Sequence, residues 1–123
     1  MPNFGCIALL ELRGQVVHTY PQGDFDVTSL NEAFENIVKT VAGTERWVLF
    51  EHTSANAGLT TSSMSRLMEL YTEMAKLGCQ GIAIGGDSLF LQIIPNYIPQ
   101  DFIIPVKVSK DDQMLTAFLE SLL

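Results

Sequence analysis

The sequence contains few of the residues on which redox, metal-binding and disulfide proteins depend. Only two of its 123 residues are cysteines, Cys6 and Cys79, and both lie in apolar segments without CxxC spacing. We therefore expect buried, reduced thiols rather than a disulfide, and neither a metal site nor a cofactor. GxSxG, Walker, GxGxxG and HExxH motifs are also absent, so the sequence shows no common catalytic or nucleotide-binding pattern.

Positive charge is scarce as well. Seven lysines and arginines stand against 14 aspartates and glutamates, which gives a net charge of −7. Nucleic-acid binding and electrostatic attachment to a membrane both need a basic face, so we expect neither partner. No apolar run is long enough to cross a membrane, and the first residues lack the basic start of a signal peptide, which favours a cytoplasmic protein.

Strand and helix patterns alternate along the chain. Apolar and alternating runs predict five strands, at residues 4–12, 15–20, 46–51, 81–84 and 102–108. Apolar residues at helical spacing predict four helices, at residues 26–43, about 60–77, 89–94 and from 109 onward. The order is thus β-β-α-β-α-β-α-β-α, which predicts an α/β fold with a single mixed, mostly parallel five-stranded sheet and about four helices. The length indicates one domain, residues 1–123.

Boundary signals add detail to these elements. Thr28 or Ser29 is expected to cap the first helix, and Ser109 the last. Pro95 should stop the short third helix, and Pro105 within the last strand argues for an edge position. The apolar run at residues 47–50 predicts a strand buried on both faces.

The stretch after this third strand is the strongest candidate for a specific function. Its turn, residues 52–58, is polar and includes Ser54 and Asn56. Four consecutive hydroxyl residues follow where the second helix should start: Thr60, Thr61, Ser62 and Ser63. One of them suffices as an N-cap, and serine and threonine are indifferent helix formers, so capping and propensity do not explain four. A phosphate there would meet the positive end of the helix and add a charge of about −1.5 to −2. The alternative is simply a hydrophilic helix start.

Two further groups of residues invite a chemical interpretation. The glycine-rich turn could hold an anion on its amides, or it could be a tight turn in which one polar residue caps the next helix; it comprises Gly85, Gly86, Asp87 and Ser88. His52 lies at the end of the third strand beside Glu51 and could act as a general base, or it could hydrogen-bond the following loop. We expect His18 to be a packing or surface residue.

Residues 59–71, LTTSSMSRLMELY, resemble the I-D-S-S-G-L-x-x-L-L-x-L-Y segment of STAS domains, the anti-sigma-factor antagonists and their relatives. The sequence Gly23-Asp24-Phe25-Asp26 is similar to the family's G-x-L-D, and the element order fits over essentially the whole chain. A looser group of STAS-like proteins, related in fold to lipid-binding Sec14 modules, fits the order as well.

The resemblance implies a regulatory protein that is not an enzyme. In the family, the serine after the motif's aspartate is phosphorylated by a partner kinase, and the unphosphorylated form binds that partner. That serine falls on Thr61, with Ser62 next to it, whereas the family's aspartate is Thr60 and its glycine is Ser63. The implied partner is another protein, such as a serine kinase, an anti-sigma factor or a sensor, bound through residues 53–65. Whether the protein also forms a homodimer through a sheet edge stays open.

Two other functions remain as alternatives. The apolar segment 89–104, with Phe90, Tyr97 and Phe102, suggests a carrier that holds a lipid or nucleotide between the helices and the sheet. A small hydrolase using His52 and a nearby hydroxyl is the third hypothesis. It has the least support, because no oriented set of nucleophile, base and orienting group is visible.

Overall fold

A mixed β-sheet with helices on both faces organises the chain. The computed structural model describes residues 7–123. In chain order, its strands and α-helices are β1 Ile7–Arg13, β2 Val16–Pro21, β3 Asp24–Phe25, α1 Val27–Val41, β4 Trp47–Thr53, β5 Gly58–Leu59, α2 Met64–Lys76, β6 Cys79–Gly86, β7 Val106–Val108 and α3 Asp112–Glu120. Short 3₁₀ helices lie at Thr61–Ser63, Leu89–Gln92 and Ile94–Tyr97.

The main sheet has five strands in the order β1-β2-β4-β6-β7. β1 and β2 form an antiparallel hairpin, and every other neighbouring pair in this sheet is parallel. The predicted five-stranded, mostly parallel sheet is thus confirmed, but it is not the single sheet of the prediction, because β3 and β5 form a second, two-stranded sheet. β4 lies at its centre, and residues 47–50 are all buried, as expected for a strand covered on both faces. Part of the predicted first strand, including Cys6, lies outside the described residues.

The two faces of β4 supply two hydrophobic cores. Trp47 and Leu49 face α1 and α2 in the larger core. Val48 and Phe50 face the other way, toward α3, in a smaller core that contains Leu115 and Leu119. Because side chains alternate along a strand, a single central strand holds both layers of helices to the sheet.

The helix α1 agrees with its predicted periodicity but begins differently. Its buried residues are spaced as one helical face: Leu30, Ala33, Ile37 and Val41. The N-cap is Asp26, whose carboxylate accepts a 2.8 Å hydrogen bond from the backbone N–H of Ser29, so the predicted cap at Thr28 or Ser29 is wrong. An aspartate accepts such a bond as readily as a hydroxyl residue does, and it lies three residues before the donor as an N-cap should.

The described residues form three α-helices rather than about four. The segment predicted as a third helix forms two 3₁₀ turns, Leu89–Gln92 and Ile94–Tyr97, and Pro95 lies inside the second turn instead of stopping the first. A proline near the start of a helix sacrifices no internal hydrogen bond, which explains why it is tolerated there.

The carboxyl-terminal elements are shorter than predicted. β7 begins only at Val106, so Pro105 precedes the strand, although β7 does form an edge of the sheet as predicted. The last helix, α3, is capped by Asp111, which accepts a 3.1 Å bond from the amide of Met114, and not by Ser109. The hydroxyl of Ser109 accepts instead from the amide of Asp111 at 3.0 Å.

Within the described part of the chain, no helix combines the length and apolar character that a membrane span requires. Cys79 is a buried free thiol, as expected. Burial raises the pKa of this thiol to about 12, so it remains protonated and unreactive at neutral pH.

Candidate functional site

Two segments that are distant in sequence meet at the carboxyl end of the central parallel strands. The short strand β3 pairs in parallel with β5, so that Asp24 lies beside Gly58 and Phe25 beside Leu59. The amide of Gly58 donates to the carbonyl oxygen of Gly23 at 2.9 Å. The two short segments singled out at the sequence level are therefore neighbours, next to the edge where open α/β sheets display ligand sites.

The polar turn after β4 is bonded to the same segment. Asn56 accepts a hydrogen bond from the hydroxyl of Ser54 and a second one, at 3.4 Å, from the amide of Gly23. The amide of Ser54 also donates to the carbonyl of Pro21 at 3.0 Å. Asn56 is exposed and Ser54 half-buried, so the side chain of Asn56 both shapes the turn and lies on its outer surface.

The four hydroxyl residues form the entrance to α2 but do not cap it. Thr61, Ser62 and Ser63 make a 3₁₀ turn, and α2 begins only at Met64. Neither helix has a side-chain cap, so the predicted capping role is wrong. The hydroxyl of Thr60 instead lies 2.5 Å from that of Ser63 and 3.4 Å from that of Ser62.

Exposure separates these four residues into two kinds. Ser63 is fully buried, and its hydroxyl contacts that of Thr60. Thr60, Thr61 and Ser62 are exposed. Thr61 and Ser62 therefore present hydroxyls to solvent one turn before a 13-residue helix, where the helix dipole favours added negative charge.

The glycine-rich turn after β6 is built around Thr53. The Thr53 hydroxyl donates to the carbonyl of Gly85 at 2.6 Å. The backbone carbonyl of Thr53 accepts from the amide of Asp87 at 2.9 Å. Gly86 has φ +103°, and a Cβ added to it would lie 2.1 Å from the Thr53 carbonyl oxygen. Only glycine fits at this position.

Ser88 completes this turn. It is buried, accepts from the amide of Phe90 at 3.1 Å as the N-cap of Leu89–Gln92, and donates to the carbonyl of Ala57 at 2.6 Å. The contacts therefore support the interpretation in which a polar residue of the turn, Ser88, caps the following helix. Anion binding at Gly85, Gly86, Asp87 and Ser88 stays a prediction, although the Asp87 and Ser88 amides already donate to Thr53.

A small cavity of about 60 Å³ lies between these loops, the sheet and the helices, and it opens to solvent. Its lining is mostly apolar and includes Phe25, Leu67, Ile84, Phe90 and Ile94. A second cavity of about 30 Å³ adjoins it and shares six of its lining residues. Both cavities are lined by the same two ionisable residues, Glu51 and Tyr71.

Glu51 is the unusual member of this lining. The buried Tyr71 hydroxyl donates a 2.5 Å hydrogen bond to its carboxylate. Burial raises the pKa of Glu51 to about 7, and the bond from Tyr71 opposes this only in part. Burial first, and then the neighbouring Glu51, raise the pKa of Tyr71 well above its ordinary value. The pair thus provides a carboxyl group that changes charge near neutral pH in the lining of an apolar pocket.

The histidines lie on the opposite face of the sheet from this pocket. His18 Nδ1 and His52 Nε2 are 2.8 Å apart, and the two rings stack on each other and on Phe50. His52 also stacks on Tyr20. Burial lowers the pKa of His18 to about 4, with a contribution from Arg13, and burial also lowers the pKa of His52. His52 therefore bonds His18 rather than the following loop, and it faces away from Thr53 and the hydroxyl residues.

Sequence reasoning found the exposed loops but missed the Glu51–Tyr71 pair and the histidine pair. The available signal for Glu51 was a lone acidic residue directly after a four-residue apolar run, followed along the chain by a helix with a tyrosine on its apolar face. Among residues 7–123, no group of three or more histidine, cysteine, aspartate or glutamate side chains is placed to hold a metal ion.

No protein-family model matches the chain, and no curated protein matches it significantly.

Proposed function

We propose that the protein is a non-enzymatic, STAS-like regulatory module that binds another protein in the cytoplasm. Binding occurs through residues 53–65, called here the 53–65 surface. The observation that carries this proposal is the exposure of Thr60, Thr61 and Ser62 at the carboxyl end of the central strand β4. Polar side chains that are exposed on loops held by a rigid sheet are typical of recognition surfaces.

The arrangement around this surface supports the STAS-like assignment. The segment 23–26 and the segment 59–71 carry the two resemblances to the family, and β3 and β5 bring them side by side. A five-stranded mixed sheet with one antiparallel pair is also consistent with the proposed order, although the segment 89–97 forms 3₁₀ turns where the order has a helix.

Phosphorylation of Thr61 or Ser62 is the proposed form of regulation. Both hydroxyls are exposed and precede the start of α2, so a phosphate would be stabilised by the helix dipole and would not disturb the core. Ser63 is excluded as the acceptor because it is buried. The partner would be a serine kinase, an anti-sigma factor or a sensor that distinguishes the two charge states.

The two other functions receive less support from the geometry. A cavity of about 60 Å³ is far smaller than the roughly 300–1,000 Å³ of ordinary ligand sites, so it does not enclose a lipid or a nucleotide. For a hydrolase, His52 would have to reach a hydroxyl, but its ring lies on the other face of the sheet and bonds His18.

The proposal is tested by partner affinity. The protein is used to capture binding proteins from its own cells, and the candidate partner is then purified and titrated against wild type and against Thr61→Asp, Ser62→Asp and Asn56→Ala variants. We expect the two aspartate variants to weaken binding about tenfold or more, because each places a charge inside the interface. Mass spectrometry of the protein isolated from cells should find phosphate on Thr61 or Ser62.

The matched control is Thr116→Asp, which makes the same substitution at an exposed position of α3, on the other face of the sheet. Its affinity should equal that of wild type. Unchanged affinity in all three variants of the 53–65 surface would show that the partner binds elsewhere.

A further inference from the structure

The core contains a group of polar side chains that the proposed function does not use. Glu51 and Thr19 are partners in the β2–β4 register and point to the same side of the sheet, and Tyr71 approaches them from α2. Thr19 is fully buried, and its hydroxyl has no hydrogen-bond partner within the part of the chain that the structure describes. Buried polar groups with incomplete hydrogen bonding are destabilising, so their presence in a core calls for a reason.

Among the described residues, Glu51 is paired with no cation and has one hydrogen-bond donor to its side chain, Tyr71. The ion pairs found within residues 7–123 are Arg13–Glu11, Arg66–Glu69 and Lys76–Glu73, and none involves Glu51. Its contact with the Tyr71 hydroxyl leaves the carboxylate able to accept further bonds. Glu51 itself is half-buried and lines both cavities, so this remaining capacity is directed to space that a ligand can enter.

The size of the cavity restricts what can enter. The cavity offers about 60 Å³ to the centres of water-sized spheres. One water needs roughly 10–15 Å³ on this measure, so the cavity holds on the order of four waters, and it is well below the approximately 150 Å³ of a cavity that accepts benzene. A slim chain of a few heavy atoms fits these dimensions, whereas a ring does not. The half-buried residues Thr53, Leu59 and Phe90 belong to the lining, and two of them lie in the 53–65 surface, so the pocket borders that surface.

The charge of the pocket selects the chemistry of the occupant. An anion would face the carboxylate of Glu51 and a protein of net charge −7. A cation with an apolar stem would place methylene groups against Phe25, Leu67 and Ile84 and a positive tip against Glu51. This combination of an apolar stem and a compact charged head with several donors is that of an alkylammonium group.

We propose that the pocket at Glu51 binds an alkylammonium group that enters through the 53–65 surface. Resting on the proposed function, the source of this group is a lysine side chain of the partner protein; a free small amine is the other source of the same chemistry. The ammonium donates to the Glu51 carboxylate, and Tyr71 continues to donate to the same group. The Glu51 carboxylate thereby acquires the cation that the described residues do not supply.

The first experiment uses purified protein and small probes. ¹⁵N-labelled protein at pH 8, where Glu51 is ionised, is titrated by NMR with n-butylamine, n-butanol and pentanoate, which carry the same butyl stem. We expect only n-butylamine to shift the amides of Gly58, Leu59 and Phe90 in a saturable manner, with a Kd in the millimolar range. Equal responses to the three probes, or none to the amine, would overturn the proposal.

Variants show whether the carboxylate is responsible. Glu51→Gln keeps an acceptor for Tyr71 but removes the charge, and it should weaken amine binding about tenfold or more. Glu120→Gln, an exposed site on α3, makes the same change in net charge as Glu51→Gln and should bind like wild type. Amine binding that persists in Glu51→Gln would refute the assignment, and the NMR spectrum of each variant verifies its fold.

A third set of measurements distinguishes a lysine side chain of the partner from a free small amine as the occupant of the pocket. Nα-acetyl-lysine methylamide should bind at least as tightly as n-butylamine if the pocket takes a lysine side chain, and binding of n-butylamine alone would identify a free amine instead. Measurements with the purified partner separate the lysine assignment from the proposed function. Glu51→Gln should weaken partner binding to an extent similar to that caused by Thr61→Asp. If Thr61→Asp weakens partner binding and Glu51→Gln does not, the lysine assignment is wrong and the proposed function stands. If the 53–65 variants have no effect, the proposed function is wrong, and the amine titration decides on the pocket by itself.

Discussion

Glu51 shows how the placement of a single residue can couple stability to pH. Its pKa rises from 4.5 to about 7 because burial disfavours the charged carboxylate. Between these two values the unfolded chain releases the proton while the folded chain retains it, so stability falls as the pH rises through this window. The loss approaches its full value of about 3 kcal/mol above pH 7. Tyr71, the other ionisable residue of the lining, does not titrate in this range.

We predict that Glu51→Gln removes this loss. The variant should match wild type near pH 4 and exceed it in free energy of unfolding by about 2–3 kcal/mol at pH 8. Urea unfolding at several pH values measures the difference. His18 and His52 have lowered pKa values and act in the opposite sense, because they reduce stability as the pH falls below 6.5. They are present in both proteins, so the difference isolates Glu51. A difference that does not vary with pH would show that Glu51 has an ordinary pKa.

At the scale of elements, local signals predicted the existence of helices and strands better than their ends. The apolar spacing in α1 identified its buried face because tertiary packing uses the same periodicity. The N-cap of α1 was harder to predict, because the side chains of Asp26, Thr28 and Ser29 can each accept a hydrogen bond from a backbone amide. The backbone geometry decides which of them does so. The segment 89–97 was mistaken for an α-helix because a short apolar run before a proline does not distinguish α from 3₁₀ geometry.

Two glycines with positive φ, Gly86 after β6 and Gly14 in the hairpin turn between β1 and β2, differ in a testable way. A Cβ on Gly86 would lie 2.1 Å from the carbonyl oxygen of Thr53, in addition to the strain of φ +103°. Gly14, in the hairpin turn, has φ +61° but no atom within 4 Å of such a Cβ. An alanine at position 86 would thus suffer both a steric clash and backbone strain, whereas an alanine at position 14 would suffer backbone strain alone.

We predict that Gly86→Ala lowers the free energy of unfolding by about 3 kcal/mol or more, because the β4–β6 ladder must shift. Gly14→Ala, the matched control, should lower it by only about 1–2 kcal/mol. Chemical denaturation of both variants measures these values. Equal losses would indicate that the loop around Thr53 moves aside without cost.

For the molecule as a whole, the candidate site depends on contacts that sequence patterns do not contain. The hydroxyl residues at 60–63 were conspicuous because they are contiguous. The Glu51–Tyr71 bond joins residues 20 positions apart, and the His18–His52 contact joins residues 34 apart. Both contacts require knowing that β2 adjoins β4 and that α2 lies over the face opposite α3. Local propensity predicts elements, whereas the order of strands decides which polar residues meet.

The same strand order predicts that the chain unfolds as one cooperative unit. β4 contributes Trp47 and Leu49 to the larger core and Val48 and Phe50 to the smaller core beneath α3. Loosening α3 therefore exposes one face of the strand whose other face holds the rest of the molecule. The single-domain prediction therefore means that both cores unfold together. Although Trp47 lies in the larger core, its fluorescence should report a loss of packing in the smaller core as well.

We predict that Leu115→Ala, in the smaller core, lowers stability by about 3 kcal/mol. Leu115 is fully buried. The transitions followed by Trp47 fluorescence and by far-ultraviolet circular dichroism should shift together, because the shared strand cannot lose one core and keep the other. Leu89→Ala is the control, since Leu89 is 72% exposed and its truncation removes little packing. If circular dichroism in Leu115→Ala shows an early partial loss while Trp47 fluorescence retains its wild-type midpoint, the two cores are independent, and α3 is an appendage to the sheet.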